Sequence, residues 1–275
     1  KTIANNKIRI LFVLSFFMSI DRFILGFLQS PSTVGFYAVS FTVVNLGFYL
    51  VGGIKNTMFP FLAEQFSKSK NIREKEFASY FNRVIVLTLV LVGLFMIGIL
   101  AFRHELVPLI FGKEFSPSIP LLSIMIFGLP FLTLYIFLHT LSISINRVKA
   151  ATIASILATL LAVVIYYLLT RLSGVKGTAY GFVVSSFLLS LFYYFFILRD
   201  ASPDFKGFFG LITLSCLVAL GVVFFTGSFL LNILVFFTAL FIYGSLLLLF
   251  GFVRKEDIQF AQQLLRRYIP LFRRS

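Results

Sequence analysis

Asp21 and Arg22 are adjacent charges in the middle of an apolar stretch that runs from Ile8 to Gln29. A helix rises about 1.5 Å per residue and crosses a bilayer core of about 30 Å in about 20 residues, so this stretch is long enough to span. The pair would then lie near the midplane, where each charge costs about 2.5 to 3.5 kcal/mol on insertion scales. Ionisable residues at that depth mark substrate or ion pathways, so the pair predicts a functional site.

The two charges are expected to need partners beyond each other. Neighbouring residues on a helix point about 100° apart, so Asp21 and Arg22 are predicted not to neutralise each other face to face. Two interpretations remain open. The pair lines a water-filled cavity and meets substrate there, or it forms structural ion pairs with other helices of the bundle.

Lys55 is a further candidate, near the end of the second apolar stretch. It follows Gly52 and Gly53 and precedes Pro60, which together predict a helix weakened at this end. Such weakened segments are bending points in transporters. The alternative is that the Lys55 side chain only extends its ammonium group to the lipid headgroups.

Tyr135 and His139 carry the third candidate feature. With Ser142 they occupy positions i, i+4 and i+7 of an apolar stretch, so they share one helix face that is suited to lining an aqueous path. A single histidine without a second ligand usually forms a hydrogen bond to a neighbouring helix. We therefore expect no metal site and no cofactor.

The composition indicates a polytopic membrane protein. Of the 275 residues 59% are hydrophobic and 12% are charged, well below the charged share of a soluble domain. The net charge of +14 comes from basic residues in short connections and near both ends, which indicates membrane topology and no nucleic-acid partner. The sequence carries no catalytic motif, and its carboxylates lie mostly in connections, so an enzyme is disfavoured.

Eight membrane-spanning helices are predicted, which makes the fold an all-α bundle. Gly177, Gly181 and Ser185 repeat at four-residue spacing and predict close packing of one span against a neighbour. We expect a six-helix bundle over residues 1–200, an additional hairpin over 201–253 and an amphipathic cytoplasmic tail over 254–275. The predicted spans are Ile8 to Gln29, Val34 to Pro60, Val84 to Phe102, Leu121 to Ile145, Ala150 to Thr170, Thr178 to Leu198, Phe208 to Phe225 and Phe229 to Val253.

Two stretches resemble a known family. The run IDRFILGFLQSPSTVGFYAVSFTVVNLGFYLVGGIKNTMFPFLAE, Ile20 to Glu64, is similar to two consecutive helices of polysaccharide and O-antigen flippases in the multidrug/oligosaccharidyl-lipid/polysaccharide exporter superfamily. The run FGKEFSPSIPLLSIMIFGLPF, Phe111 to Phe131, and the later GVKGTAYG, Gly174 to Gly181, resemble the C-terminal domain of the same proteins.

The resemblance implies a fold and a function. The fold would be the C-terminal lobe of a two-lobed exporter with an extra hairpin, and Lys1 would be an internal position, with the N-terminal lobe missing. The function would be turning over a polyprenyl-diphosphate-linked oligosaccharide across the cytoplasmic membrane of a prokaryote by alternating access, with membrane lipids around it. Asp21, Arg22, Lys55, Tyr135 and His139 would then be the candidate substrate-binding and cavity residues.

Other functions stay open at this point. A multidrug or cation antiporter of the same superfamily would use a buried carboxylate, and Asp21 is the acidic residue well inside a span. A membrane-embedded glycosyltransferase or polymerase would carry clustered carboxylates or a large outer loop. A non-transporting assembly component is the remaining alternative.

The topology prediction is that both termini are cytoplasmic. This orientation places 18 of the 24 Lys and Arg residues inside and four outside, with Arg22 and Lys55 within spans. Single cysteines introduced at Lys70 and Lys113 should therefore react with a membrane-impermeant maleimide from opposite sides. Labelling of both positions from the same side would contradict the orientation.

Overall fold

The structure is a computed structural model that describes residues 19–69, 75–144, 147–195, 205–225 and 227–253. Its regular elements are helices, which confirms the all-α prediction. They are α1 (Ile20–Leu28), α2 (Pro31–Ser69), α3 (Lys75–Ala101), α4 (Arg103–Phe111), α5 (Ile119–Met125), α6 (Leu129–Ser144), α7 (Val148–Tyr193), α8 (Phe205–Phe225) and α9 (Phe229–Leu249), with 3-10 helices at Lys113–Ser118 and Ile126–Gly128.

Six segments among the described residues are long and apolar enough to cross a membrane, as expected for a polytopic bundle. They are Pro31–Thr57, Ser79–Ala101, Lys113–Ile143, Lys149–Tyr193, Gly207–Phe225 and Phe229–Leu249. The first predicted span enters the described region only at α1, and the predicted tail over residues 254–275 lies outside the described residues. The chain is a multi-pass membrane protein.

The segment Lys149–Tyr193 accounts for two predicted spans. Its 45 residues would form a straight helix of about 68 Å, more than twice the bilayer core of about 30 Å. The helix breaks at Ser173 and Gly174, where Gly174 has φ 58°, a backbone conformation that suits glycine. The break divides α7 into a first arm, 148–172, and a second arm, 175–193.

Contacts between the arms show that α7 is an antiparallel hairpin. The hydroxyl oxygens of Thr170 and Thr178 lie 2.8 Å apart, next to the turn. Those of Ser155 and Tyr193 lie 2.6 Å apart, at the far ends of the arms. Both pairs are placed symmetrically about residue 174, so the arms run side by side along their whole length.

Small residues allow this close approach, as their spacing predicted. Gly177 lies directly against the backbone carbonyl of Leu169, where there is no room for a side chain. A Cβ atom at Gly181 would lie 2.8 Å from the Tyr166 ring. Lipid gives apolar side chains little reason to associate, so close backbone contact and hydroxyl pairs are what hold such arms together.

The arms of α7 and the helix α2 each pack against several other helices. α7 packs against α1 and α6, while α2 packs against α3, α5 and α6. Two contacts fix α2: the Ser40 hydroxyl donates to the Ser118 carbonyl at 2.8 Å, and the rings of Phe41 and Phe182 meet edge to face at 5.9 Å. These contacts position the α2 residues discussed below.

The helix α2 is longer than the second predicted span, although the span itself agrees with the apolar segment Pro31–Thr57. The sequence placed the end of the second span at Pro60, but α2 continues through Gly52, Gly53 and Pro60 to Ser69, and α3 begins at Lys75. Hydropathy detects the hydrocarbon-crossing part of a helix, and a helix that continues into water is polar beyond it. The predicted long connection is thus mostly helical.

The terminal hairpin of α8 and α9 is fastened to the bundle by buried polar groups. Arg103 donates to the Leu100 carbonyl at 2.6 Å and to the Val223 carbonyl at 3.1 Å, so one guanidinium satisfies the C-terminal ends of α3 and α8. The Asn232 amide donates to Glu105 at 2.7 Å. The hairpin is therefore joined to α3 and α4 at one end of the bundle.

The close approach inside α7 generates a stability prediction. Gly177→Ala should lower the unfolding midpoint in detergent, because the added methyl group overlaps the Leu169 carbonyl and overpacking costs about 1–3 kcal/mol. Gly221→Ala on α8 is the matched control, since no heavy atom lies within 4 Å of the added carbon. Equal midpoints for the two variants would contradict the packing described here.

Candidate functional site

Asp21 lies in the first turn of α1, and its carboxylate is 2% exposed. The Tyr37 hydroxyl of α2 donates to Oδ2 at 2.7 Å, and the backbone N–H of Arg22 donates to Oδ1 at 2.8 Å. Tyr37 is itself fully buried. A buried carboxylate is tolerated only when its oxygens are hydrogen-bonded, so the Tyr37 bond also fixes α1 against α2.

Arg22 contacts Asp21 after all, which corrects the expectation that the two charges cannot face each other. The Arg22 Nε atom lies 3.6 Å from Asp21 Oδ1. The reason is the helix start: backbone N–H groups in a first turn lack a helical partner, and the short Asp21 side chain bends to accept the one at Arg22. This places Oδ1 beside the base of the Arg22 side chain.

The Arg22 guanidinium is held in place but remains accessible. Its Cζ atom lies 4.5 Å from the centre of the Phe41 ring, and Nη2 lies 3.5 Å from the Ser19 hydroxyl. The side chain is still 39% exposed. A cation over an aromatic face is stabilised by the ring quadrupole, so Phe41 orients the charge without covering it.

Tyr135 and His139 lie between α6 and α7 and form an aromatic cluster with Tyr193. The ring centres are 5.0 Å apart for Tyr135 and Tyr193 and 5.9 Å apart for His139 and Tyr193. Tyr135 is buried, His139 is partly buried, and the half-buried Lys55 of α2 is close enough to act electrostatically on His139. These side chains pack within the bundle in this structure.

The five candidate residues form two separate groups. Tyr37, the partner of Asp21, and Lys55 both belong to α2 and are 18 residues apart, which is about 27 Å along a helix. Asp21 and Arg22 therefore lie at one level of the bundle. Lys55 lies at another level, with His139 and Tyr135.

A polar face of α2, which was not predicted from the sequence, links the two levels. Thr42, Asn45, Tyr49 and Asn56 lie within about 60° of one another around the helix. Thr42, Tyr49 and Asn56 are exposed and Asn45 is half-exposed. The spacings of three, four and seven residues between these four positions indicate a shared helix face. The average hydropathy of the whole span does not show it, because most residues of the span are apolar.

The exposed side of α7 shows that this polarity is not general. Between Ile153 and Leu168, away from the ends of the first arm, the exposed side chains are apolar or tyrosine: Ile153, Ile156, Leu157, Leu160, Leu161, Val164, Tyr167 and Leu168. Such a surface suits hydrocarbon, whereas asparagine side chains do not. The face of α2 that we call the polar face, defined by Thr42, Asn45, Tyr49 and Asn56, is therefore suited to water, solute or another polar surface.

Comparisons with known proteins agree on one process. A family model described as "Polysaccharide biosynthesis protein" matches residues 7–120. The capsular polysaccharide biosynthesis protein CapF of Staphylococcus aureus is 25% identical over 181 residues, which cover 66% of this chain and 45% of that protein. The probable low-salt glycan biosynthesis flippase Agl15 of Haloferax volcanii is 22% identical over 210 residues, which cover 76% of this chain and 44% of that protein.

This chain is therefore similar to polysaccharide biosynthesis proteins, among them a probable glycan flippase. The resemblance expected from the two sequence stretches is thereby confirmed. The chain spans less than half the length of the curated relatives it matches. The matched family region, residues 7–120, contains Asp21, Arg22, Lys55 and the whole polar face of α2.

The hydrogen bond between α1 and α2 generates a second stability prediction. Tyr37→Phe removes the donor to Asp21 Oδ2, and a buried acceptor left without its partner costs about 1–3 kcal/mol. The unfolding midpoint in detergent should therefore fall. Tyr180→Phe, at an exposed tyrosine of α7, should leave the midpoint unchanged, and a Tyr37→Phe midpoint as high as this control would contradict the role given to the bond.

Proposed function

We propose that this chain forms one lobe of a flippase that moves a polyprenyl-diphosphate-linked oligosaccharide across the cytoplasmic membrane by alternating access. In this proposal Arg22 binds the diphosphate, and the polar face of α2 lines the path of the sugars. Both termini of the chain are cytoplasmic, so the Lys55 level lies near the cytoplasm and the Arg22 level lies deeper in the membrane.

The accessible guanidinium of Arg22 carries this proposal. It belongs to a predicted span, yet 39% of the side chain is exposed instead of being enclosed by protein. A guanidinium presents a planar fork of donors that matches phosphate oxygens in a bidentate arrangement. Asp21 and Phe41 orient this fork, and the exposed part of the side chain is within reach of a ligand.

The state of Asp21 favours an anionic substrate over a cationic one. A cation antiporter needs a carboxylate that a cation can reach, but Asp21 is buried and accepts hydrogen bonds on both oxygens. The reachable charge in this part of the structure belongs to Arg22. The flippase-like relatives likewise support transport over a membrane-embedded transferase.

The polar face of α2 supports the two-lobed arrangement. If Asn45, Tyr49 and Asn56 faced hydrocarbon, their polar groups would lose hydrogen bonds to water and would gain no others. A second lobe opposite α2 would enclose a hydrated cavity between the two faces. The greater length of CapF and Agl15 leaves room for such a lobe.

The test of the proposed function is a graded series at Arg22 in the full-length protein. Arg22→Lys keeps the charge but loses the fork, so glycan export should fall partly, and Arg22→Ala should reduce export severely. Both variants should insert at normal levels. Export is measured as surface glycan per cell, and abundance as protein in the membrane fraction.

The matched control is Arg171→Ala. Arg171 also lies over an aromatic ring, that of Tyr167 at 5.4 Å, but it is exposed beside the turn of α7. This variant should export normally. If Arg22 served only as the ion-pair partner of Asp21, Arg22→Ala would instead lower abundance, because an uncompensated buried charge costs about 3 to 5 kcal/mol. Normal export by a well-expressed Arg22→Ala protein would end the proposal.

A further inference from the structure

Tyr49 is a large aromatic side chain that projects from the bundle in the middle of the polar face. It is 67% exposed, while another side of its helix packs against α3, α5 and α6. Asn45 lies one turn before it on the same face, and Asn56 lies two turns after it. The polar face thus presents one broad ring between two amide groups.

The position of Tyr49 relative to Arg22 is fixed by α2. The Arg22 guanidinium lies over Phe41, and Tyr49 is eight residues further along the same helix, which is about 12 Å. Asn56 is about 10 Å further on in the same direction. A ligand bound at Arg22 and extended along α2 would therefore meet Tyr49 next and Asn56 after it.

The chemistry of this row differs from that of the Arg22 site. A tyrosine ring has a negative face and suits the C–H groups on one side of a pyranose, while its hydroxyl remains available to water or to a sugar hydroxyl. An amide side chain offers both a donor and an acceptor, as a sugar hydroxyl does. The polar face lacks charge between Arg22 and Lys55 and so suits neutral, hydroxyl-rich groups.

We propose that Tyr49 is a sugar-stacking residue that binds the glycan of the substrate beyond its first sugar, with Asn45 and Asn56 contacting the sugar hydroxyls. This inference rests on the proposed function, because it takes the diphosphate to be held at Arg22. It adds that recognition by this lobe is divided: Arg22 binds the carrier diphosphate, and Tyr49 binds the sugar chain at a distance set by the helix.

If Arg22 binds the diphosphate and Tyr49 binds the sugar chain, variants at these two residues should respond differently to the length of the glycan. The full-length protein is reconstituted in liposomes and supplied with two fluorescent probes, polyprenyl diphosphate carrying one N-acetylhexosamine and polyprenyl diphosphate carrying a tetrasaccharide. At probe concentrations below saturation, Tyr49→Ala should slow translocation of the tetrasaccharide probe by about tenfold, which corresponds to about 1.4 kcal/mol of binding, and should slow the single-sugar probe far less. Tyr49→Phe, which keeps the ring, should retain most of the tetrasaccharide rate.

Two controls separate this inference from the proposed function. Tyr180→Ala removes an exposed tyrosine of α7 and should affect neither probe. Arg22→Ala should slow both probes, since both carry the diphosphate. If Arg22→Ala slows both while Tyr49→Ala slows neither, the sugar-stacking role is wrong and the proposed function stands.

The remaining outcomes also decide the question. Equal slowing of both probes by Tyr49→Ala, together with a lower unfolding midpoint, would show that Tyr49 packs against another part of the protein and would overturn the inference. Translocation of both probes at the normal rate by Arg22→Ala would overturn the proposed function itself, and with it the division of roles.

Discussion

The buried carboxylate of Asp21 is the constraint on which the arrangement of α1 and α2 depends. A charge withdrawn from water must be satisfied by donors, and here two come from different parts of the chain: the Tyr37 hydroxyl of α2 and the backbone N–H of Arg22. Because Tyr37 is fully buried, the bond cannot form unless α1 and α2 are correctly placed. The same carboxylate anchors the Arg22 side chain, so the accessible cation owes its position to a buried anion.

The rest of the bundle is also held by hydrogen bonds and close backbone contacts, and not by apolar burial alone. In a bilayer, apolar side chains are surrounded by similar material whether or not helices associate, so contacts between backbones and between hydroxyl groups matter more. The arms of α7 show this in Thr170, Thr178 and Gly177, and the terminal hairpin shows it in the bonds of Arg103 to two helix ends. These contacts leave the polar face of α2 outside the packed interior.

The sequence predicted the spans well because hydrophobic length is a strong signal. It separated the two arms of α7 near Gly174, where the structure has its break. It did not show that α2 continues to Ser69, since the end of an apolar stretch does not mark the end of a helix. The Asp21–Arg22 contact was missed because ideal helix angles ignore the free backbone donors of a first turn.

The polar face of α2 was missed for a different reason, and it bears most directly on function. Its members are common polar residues in a span whose average hydropathy is apolar. Only the structure shows that Tyr49 projects from the bundle, while Val43, Val44 and Val51 of the same helix are buried. A stable lobe has no need of an exposed aromatic ring between two asparagines at this depth. The exposure of these residues is explained if a polar partner lies against the polar face during transport.

Under the proposed function this partner changes from water to sugar and back. The side chains of the face must therefore bind each sugar weakly and release it. Stacking and single hydrogen bonds meet that requirement, and a row of charges would not.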